Sequence, residues 1–455
     1  PEPGPGQVVE SNSMMLCAVA HSLGFAARRL PPVPDDPEAL AAAFESALAS
    51  DAHVVVLVAG SSAGSKDFSR ATIARFGEVL VHGVSAMPGK PSILGVCRGK
   101  LAVGAPGYPV SAVVCFEELL SPVCAWLGRS APKTRQIVPV RLARAAPSRL
   151  GIVEFLRLAV GRVGGQYVGL PLGRGAGMMT TLTRAQAVTR IPADAEGVEA
   201  GKLVPAALLV DTDDLDRTLV AVGSHDNTLD ILADMLMRLP EPVRLASSHV
   251  GSMGGLTALK TGSAMLAGSH LFDPQTGDFN FPFLTKYLPD MDLVAVNLAL
   301  RHQGLIIAPG NPKGIQGVAD LSRPGVRFVN RQKGAGTRIL FDHHLLQAGV
   351  DPGQVAGYSH EEFTHMGVAV NVQTGAADCG MGVFAAAKAL ALDFLPVARE
   401  RYDLIIPRAY LDDPKIQAVL AVIGTDDFKA RVAALGGYET QLTGRFMAPG
   451  MGLGE

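Results

Sequence analysis

HVVVLVAG, residues 53–60, is an unbroken run of β-branched and apolar residues that ends in glycine. A strand covered on both faces has no polar side to show, so it reads this way, and such strands belong to parallel sheets packed between helices. Helix patterns precede the run. Residues 38–49 are rich in alanine, and residues 13–23 carry an apolar pattern that stops at Gly24. GKLAVGAPGYPVSAVVCFEELL, 99–120, repeats the idea as strand, Pro/Gly turn and helix. Alternation of strands and helices predicts an α/β domain over residues 1–130.

Beyond 130 the pattern changes. RQIVPVRLA, 135–143, alternates weakly, and residues 149–158 and 166–171 add strand-like pieces, so residues 131–212 are expected to form a small, mostly β domain. TDDLD, 212–216, reads as an acidic hinge. LVAVGSHDN, 219–227, starts a second α/β region, with strand–loop units at 292–297, 304–307 and 326–330 and polar loops at RHQGL, 301–305, and GNPKGI, 310–315. This region, 213–455, is expected to hold two lobes, one near 217–300 with 396–455 and one near 301–395.

The 455 residues are 48% hydrophobic, enough for roughly two to four domains with proper cores. A net charge of −2 gives no overall field for nucleic acid or an anionic membrane, so any anion site is local. Five cysteines without a CxxC pair argue against a disulfide framework and for a reducing compartment. With no signal-peptide pattern and no charge-free run of membrane-spanning length, the expected location is the cytoplasm, with small molecules as partners. Pro1 in place of an initiating Met predicts that residues precede it in the full protein.

Several stretches could hold an anion. AGSSAGSKD, 59–67, is a small-residue loop at a strand end whose N–H groups are free to turn toward a phosphate, without the GK[ST] of a P-loop. MPGKP, 87–91, and GAPGYPVSA, 104–112, are stiff Pro/Gly loops, with Lys90 as an anion contact and Ser111 near a helix start. In the second region Ser224, Ser252 and Thr337 share one context, a small hydroxyl at a helix start. Ordinary capping and oxyanion contact both fit that context. NRQKGAGTR, 330–338, lacks a lysine before its hydroxyl and reads as one wall of a cleft for a tetrahedral anion. The expected oxyanion contacts are Ser224, His225, Ser252, Met253, Arg331, Gly336, Thr337, Arg338 and His365, with Arg331 and Arg338 equally able to brace the loop or pair with Asp342. HEEFTH, 360–365, is not a zinc-protease motif, because its second histidine falls one position late. Cys379 makes no metal site by itself.

Residues 7–128 resemble the third domain of the MoeA/gephyrin-like molybdopterin molybdenumtransferases. The likeness rests on GQVVESN, AGSSAGSKD, MPGKP and GAPGYPVSA in that order, and residues 131–209 resemble the same family's small, barrel-like C-terminal domain. The resemblance implies a MogA/MoeA-like α/β fold that binds molybdopterin, often adenylylated, and inserts molybdate with Mg²⁺. It carries catalytic roles to Asp67, Glu10 and Lys90, and Mg²⁺ to Asp67 and Glu10. Cofactor contacts fall on Asn12, Gly60, Ser61, Ser62, Gly64, Ser65, Pro88, Gly89, Pro106, Gly107, Tyr108, Pro109 and Ser111. Ala59 stands where the family has glycine, and Tyr108, where it has asparagine, cannot offer an amide's paired donor and acceptor. Family members carry two further domains before the position of Pro1. The resemblance therefore implies a homodimeric enzyme at full length, and a monomer inactive alone for this stretch.

Residues 219–407 resemble a periplasmic-binding-protein-like domain, through GSHD, HVGSMGGL, GSHLFD, RHQGL, GNPKGI, VNRQKGAGTR, EEFTH, GAADCGMG and ERYDLIIP. That resemblance implies a bilobal type II fold whose ligand is an oxyanion such as molybdate or tungstate. The combined expectation is insertion of molybdate or tungstate into adenylylated molybdopterin, with an attached oxyanion-binding domain. The alternative is a non-catalytic binding or sensor protein for an organic anion or a pterin.

Overall fold

The computed structural model describes Gly4 and residues 9–58, 68–132 and 134–453. The chain divides into two compact units, Pro1–Ala159 with Pro171–Val210, and Val160–Leu170 with Asp211–Glu455.

In the first unit, α1 (Asn12–Ser22) ends before the turn at Gly24, and α2 (Pro37–Ala49) begins where the Asp36 carboxylate accepts from Ala39 N–H. Proline at the first helical position has no N–H to leave unsatisfied there. β1 (Val54–Val58), α3 (Ser69–Phe76), β2 (Gly77–His82), β3 (Ala86–Met87), β4 (Ile93–Cys97) and β5 (Lys100–Ala105) follow. The sheet order is β1-β5-β4-β2, with β1 and β5 parallel and the other pairs antiparallel. β1 lies at the sheet's end, so only Val55 is fully buried. Both its faces are nonetheless packed: Val54, Val56 and Val58 touch the Leu16–Val103 cluster, while Val55 and Leu57 join Phe44 and Leu48. Packing on both sides accounts for the unbroken apolar run.

α4 (Pro109–Cys115), a π turn over Phe116–Leu120 and α5 (Ser121–Leu127) form a continuous 19-residue helix, apolar and long enough to cross a membrane by length and composition. Here Val110, Ala112, Cys115, Phe116 and Leu120 are buried in the unit's core, and Glu117 and Glu118 pair with Arg135 and Arg190.

β6 (Ile137–Leu142), β7 (Ala146–Pro147), β8 (Val153–Val163), β9 (Gln166–Pro171), α6 (Thr180–Arg184), β10 (Ala187–Ile191), β11 (Gly197–Val198) and β12 (Leu203–Leu208) complete the segment. The ring β10-β12-β6-β9-β8 closes through a β8–β10 pairing into a small barrel. Val138, Val140 and Leu142 turn inward while Ile137 and Pro139 face out, the period of two that the weak alternation announced.

The second unit opens with α7 (Thr212–Asp216), a single turn where a hinge was expected. Asp213 and Asp214 lie in its first turn, where acids are favoured by the helix dipole. β13 (Thr218–Gly223), α8 (Asn227–Met237), β14 (Arg244–His249), α9 (Ser252–Lys260), β15 (Ala267–Ser269) and α10 (Phe281–Tyr287) follow. Next come β16 (Leu293–Ile307), β17 (Phe328–Arg331), α11 (Gly336–Gln347), β18 (Glu361–Glu362), α12 (His365–Gln373), β19 (Cys379–Val383), α13 (Phe384–Ala389) and β20 (Asp393–Pro407). The unit ends with α14 (Pro414–Gly424), α15 (Asp426–Leu435), β21 (Tyr438–Glu439) and β22 (Phe446–Met447).

β16 and β20, 15 residues each, run antiparallel through the curled, bilobal sheet from Leu293↔Pro407 to Ile307↔Asp393. The pair is flanked by β15 on β20 and by β21 and β22 on β16, and the Gln303–Ile307 end of β16 meets β19, which in turn pairs with β17. The pieces at 292–297 and 304–307 are thus one strand, and RHQGL is not a loop. Arg301 and Gln303 lie buried inside β16.

Candidate functional site

In the first unit, Asn12 is buried at the start of α1, and its Nδ2 donates to Gly107 O at 2.6 Å, tying that helix to the GAPGYP loop. Pro106 and Ser111 are buried, Pro109 opens α4, and Tyr108 is 63% exposed. Gly89 has φ +115, a conformation that favours glycine, and its carbonyl accepts from Ser92 N–H and Oγ–H. Pro88 is half-buried and Lys90 exposed. Gly60, Ser61, Ser62, Gly64, Ser65 and Asp67 lie outside the described residues.

Glu10 accepts from Ser13 N–H at 2.8 Å and from Ser13 Oγ–H at 2.5 Å, and pairs with Arg29 at 3.0 Å. Partial burial works against its ionisation, but the Ser13 hydrogen bonds and Arg29 outweigh it and hold the carboxyl below its usual range. The carboxylate is occupied at the start of α1, with Oε2 accepting from Ser13 and Arg29 and Oε1 from Ser13 N–H, which leaves Oε1 room for one further partner. Among the described residues no group of three or more His, Cys, Asp or Glu is arranged to hold a metal ion. Asn12→Ala is expected to cost about 0.5–1.5 kcal/mol, the net worth of the lost bond to the Gly107 carbonyl, which water can then reach. The thermal transition of the first unit measures this, and an unchanged midpoint would show the tie to be idle.

In the second unit, two helix starts and the residue that follows β13 meet around His270. His270 N–H donates to Ser252 Oγ, in the first turn of α9, at 3.2 Å. Ser224, after β13, lies with Oγ 2.8 Å from His270 Nε2. At the start of α11, a Cβ on Gly336 would lie 2.4 Å from His270 Nδ1, so only glycine permits this approach. Neither α9, after Gly251, nor α11, after Ala335, has a side-chain cap. Their first-turn N–H groups have no partner within the helix and concentrate partial positive charge. The two starts adjoin, since a Cβ on Gly251 would lie 3.2 Å from Gly334 O, and Met253 borders Gly334.

Arg331 and His365 complete the cluster. Arg331 is 1% exposed; its Nε donates to Glu362 O and its Nη2 to Phe363 O, and Nη1 has no partner. Both ring nitrogens of His365, which is 3% exposed and opens α12, are also unpartnered. Burial, then Arg331, Arg301, His225 and His270 in turn, holds the His365 imidazole far below its ordinary range. Burial and the nearby Arg301 bring Arg331 down to about 10, still a cation at neutral pH. His225, half-buried, has an unpartnered Nδ1 and meets the His249 ring edge-on at 4.6 Å. Arg338 has other work: it pairs with Asp342 at 3.2 Å, donates to Arg331 O and lies 4.0 Å above the Tyr358 ring. Thr337 accepts from Gln303 Nε2 at 3.1 Å. His360 lies before β18, so it shares no helix with His365.

Beneath the cluster lies a network that sequence reading missed. Arg301 is fully buried between Asp226, at 2.5 Å, and Glu400. Glu400 accepts from Gln303 and lies 2.9 Å from His270 Nδ1. Asp226 also accepts from Thr228 N–H and from Tyr438 O–H. Burial opposes ionisation of Glu400, yet Arg301 and His270 pull its carboxyl down to about 2. No spacing rule could have found this, because Arg301 is 75 residues from Asp226.

The comparisons with known proteins divide the chain in the same sense. Residues 2–126 match a probable molybdopterin binding domain, residues 130–209 the MoeA C-terminal region (domain IV), and residues 233–424 a PBP superfamily domain. Molybdopterin molybdenumtransferase 1 of Mycobacterium tuberculosis is 31% identical over 216 residues, 46% of this chain and 50% of that protein. A MoeA molybdopterin biosynthesis protein structure from Pyrococcus horikoshii is 32% identical, covering 46% of this chain and 51% of that one with a TM-score of 0.40. The chain spans about half the length of these two molybdopterin relatives. The uncharacterized protein YvgK of Bacillus subtilis is 35% identical over 229 residues, 50% of this chain and 73% of YvgK. The chain therefore belongs to the family of YvgK and carries a MoeA-like, molybdopterin-transferase-like domain set fused to a PBP-like domain.

Proposed function

We propose that the chain serves the insertion of molybdate, or tungstate, into adenylylated molybdopterin, and that its second unit captures the oxyanion. One observation carries the capture: among the described residues, Arg331 Nη1 and both His365 ring nitrogens are buried without partners, in a unit that also holds two helix N-termini without side-chain caps. Buried polar groups are almost always paired, so a cluster of unpaired ones calls for a small polar ligand. Hydroxyls, N–H groups and one arginine suffice for a tetrahedral anion.

In the first unit, Asn12 holds the GAPGYP loop in place, and the exposed Lys90 offers its ammonium to a phosphate. Mg²⁺, held by Asp67 with Glu10, would offset phosphate charge. Three modules, 1–130, 131–212 and 213–455, would divide the work in the cytoplasm. One covalent chain raises the local concentration of captured ion for the pterin module.

Titration calorimetry of the whole chain against molybdate, tungstate, sulfate and citrate tests the capture. Micromolar or tighter binding of molybdate and tungstate is the expected result. No heat from either ion sinks the capture, and preference for citrate turns the reading toward an organic-anion sensor.

A further inference from the structure

Resting on the oxyanion reading above, we infer that each tetrahedral dianion entering the second unit's site brings one proton with it, held on His270 of the Ser224–His270–Glu400 chain. The argument is a count of hydrogens. His270 Nδ1 faces the Glu400 carboxylate at 2.9 Å, so Nδ1 carries a hydrogen. In a neutral imidazole Nε2 is then bare. Ser224 Oγ, 2.8 Å from Nε2, therefore donates its only hydrogen to His270. Toward anything else Ser224 shows lone pairs alone.

The neighbouring hydroxyls differ. Ser252 Oγ accepts from His270 N–H, and Thr337 Oγ1 accepts from Gln303 Nε2, so each keeps its own hydrogen to donate. A fully ionised dianion offers only acceptors. It finds donors in Ser252, Thr337, Arg331 Nη1 and the helix starts, but meets a lone pair at Ser224. A proton on Nε2 removes the conflict. The imidazolium then donates to Glu400 and to Ser224, and the Ser224 hydrogen turns to the anion.

Charge balance points the same way. Against His270 lie Glu400 and Tyr402 from β20, with Ser224, Ser252 of α9 and Gly336 of α11, while the charges of Arg301 from β16 and Arg331 from β17 and the His365 ring of α12 are coupled to it through space. Asp226 and Glu400 offset Arg301 and Arg331, and Arg338 is paired with Asp342 and Glu361. A dianion therefore arrives at a site with little net positive charge, and a proton makes up part of the deficit. In the ligand-free protein burial keeps the imidazole below its ordinary range despite the pull of Glu400, so that proton is absent beforehand.

The test is calorimetry of the whole chain with sodium molybdate near pH 7.5, in Tris and in HEPES, whose ionisation enthalpies differ. The expected result is uptake of about one proton per anion, with affinity falling about tenfold per pH unit from 7 to 9. In Ser224→Ala the uptake drops close to zero. Binding with equal enthalpy in both buffers overturns the inference and leaves oxyanion capture standing. No binding in either buffer sinks capture itself. Nitrogen NMR of the histidines in the unmutated protein gives a check free of folding effects. Nε2 of His270 should be bare without molybdate and protonated with it, and a ring protonated at Nε2 before addition overturns the proposal.

Discussion

Arg331→Met is expected to weaken the proposed molybdate binding roughly 100-fold and to move the ligand-free melting temperature by only a few degrees. The first half follows from the unpartnered Nη1. A hydrogen bond to a charged partner is worth about 1.5–3 kcal/mol, and a buried site adds to the coulombic share. The second half follows from what the guanidinium leaves behind. Its hydrogen-bond partners are the Glu362 and Phe363 carbonyls and the Gln332 side chain, all neutral. Removing a buried cation relieves its desolvation, which offsets the loss of those bonds. Calorimetry and thermal denaturation of the same variant read both halves. Binding within threefold of the parent would remove Arg331 from the site.

Arg301→Met, 30 residues earlier and equally buried, has the opposite signature. Its partners are acids, and without it Asp226 and Glu400 become buried charges with no cation between them. Such a loss costs about 3–5 kcal/mol. The second unit's unfolding midpoint should fall accordingly, and a loss under about 1 kcal/mol would contradict the network. The acid side of the stability profile changes too. The Glu400 carboxyl sits at about 2 when folded, against an ordinary 4.5. A depressed carboxyl adds stability above its unfolded value, and that stability is lost as pH falls toward the folded one. The parent should therefore lose stability from about pH 4.5 toward pH 2, and the variant should show a shallower slope there. Asp403, raised by burial in spite of Arg401, titrates in the opposite sense and is untouched by the substitution.

Much of the architecture was legible because it rests on periodicity. The apolar run at 54–58, the alanine-rich helix from 37 to 49 and the alternation in 137–142 each appear as read. Ser252 and Thr337 were legible as helix-start residues and stand in the first turns of α9 and α11, whereas Ser224 falls two residues before the Asp226 cap of α8; Ser224 and Ser252 both meet His270. TDDLD was read as a hinge and forms a single helical turn directly after the boundary of the two compact units, because acids near the start of a turn suit a helix as well as a loop.

Arg338 shows where spacing stops deciding. Its four-residue step to Asp342 favoured a brace and its place in NRQKGAGTR favoured the anion, and in the fold it pairs with Asp342 and lies over the Tyr358 ring. RHQGL was misread for a deeper reason. Arginine, histidine and glutamine in succession resemble a solvated loop, since a strand interior tolerates them only beside partners that neutralise them. The sequence by itself determined the succession of α/β, β-barrel and bilobal regions and the local chemistry of the helix starts. Both are written in neighbouring residues. The buried chain from Asp226 through Arg301 and Glu400 to His270 and Ser224 was decided only by the tertiary structure. Its members lie far apart along the polypeptide, and burial makes an isolated charge unaffordable until the folded sheet sets its counter-charge beside it.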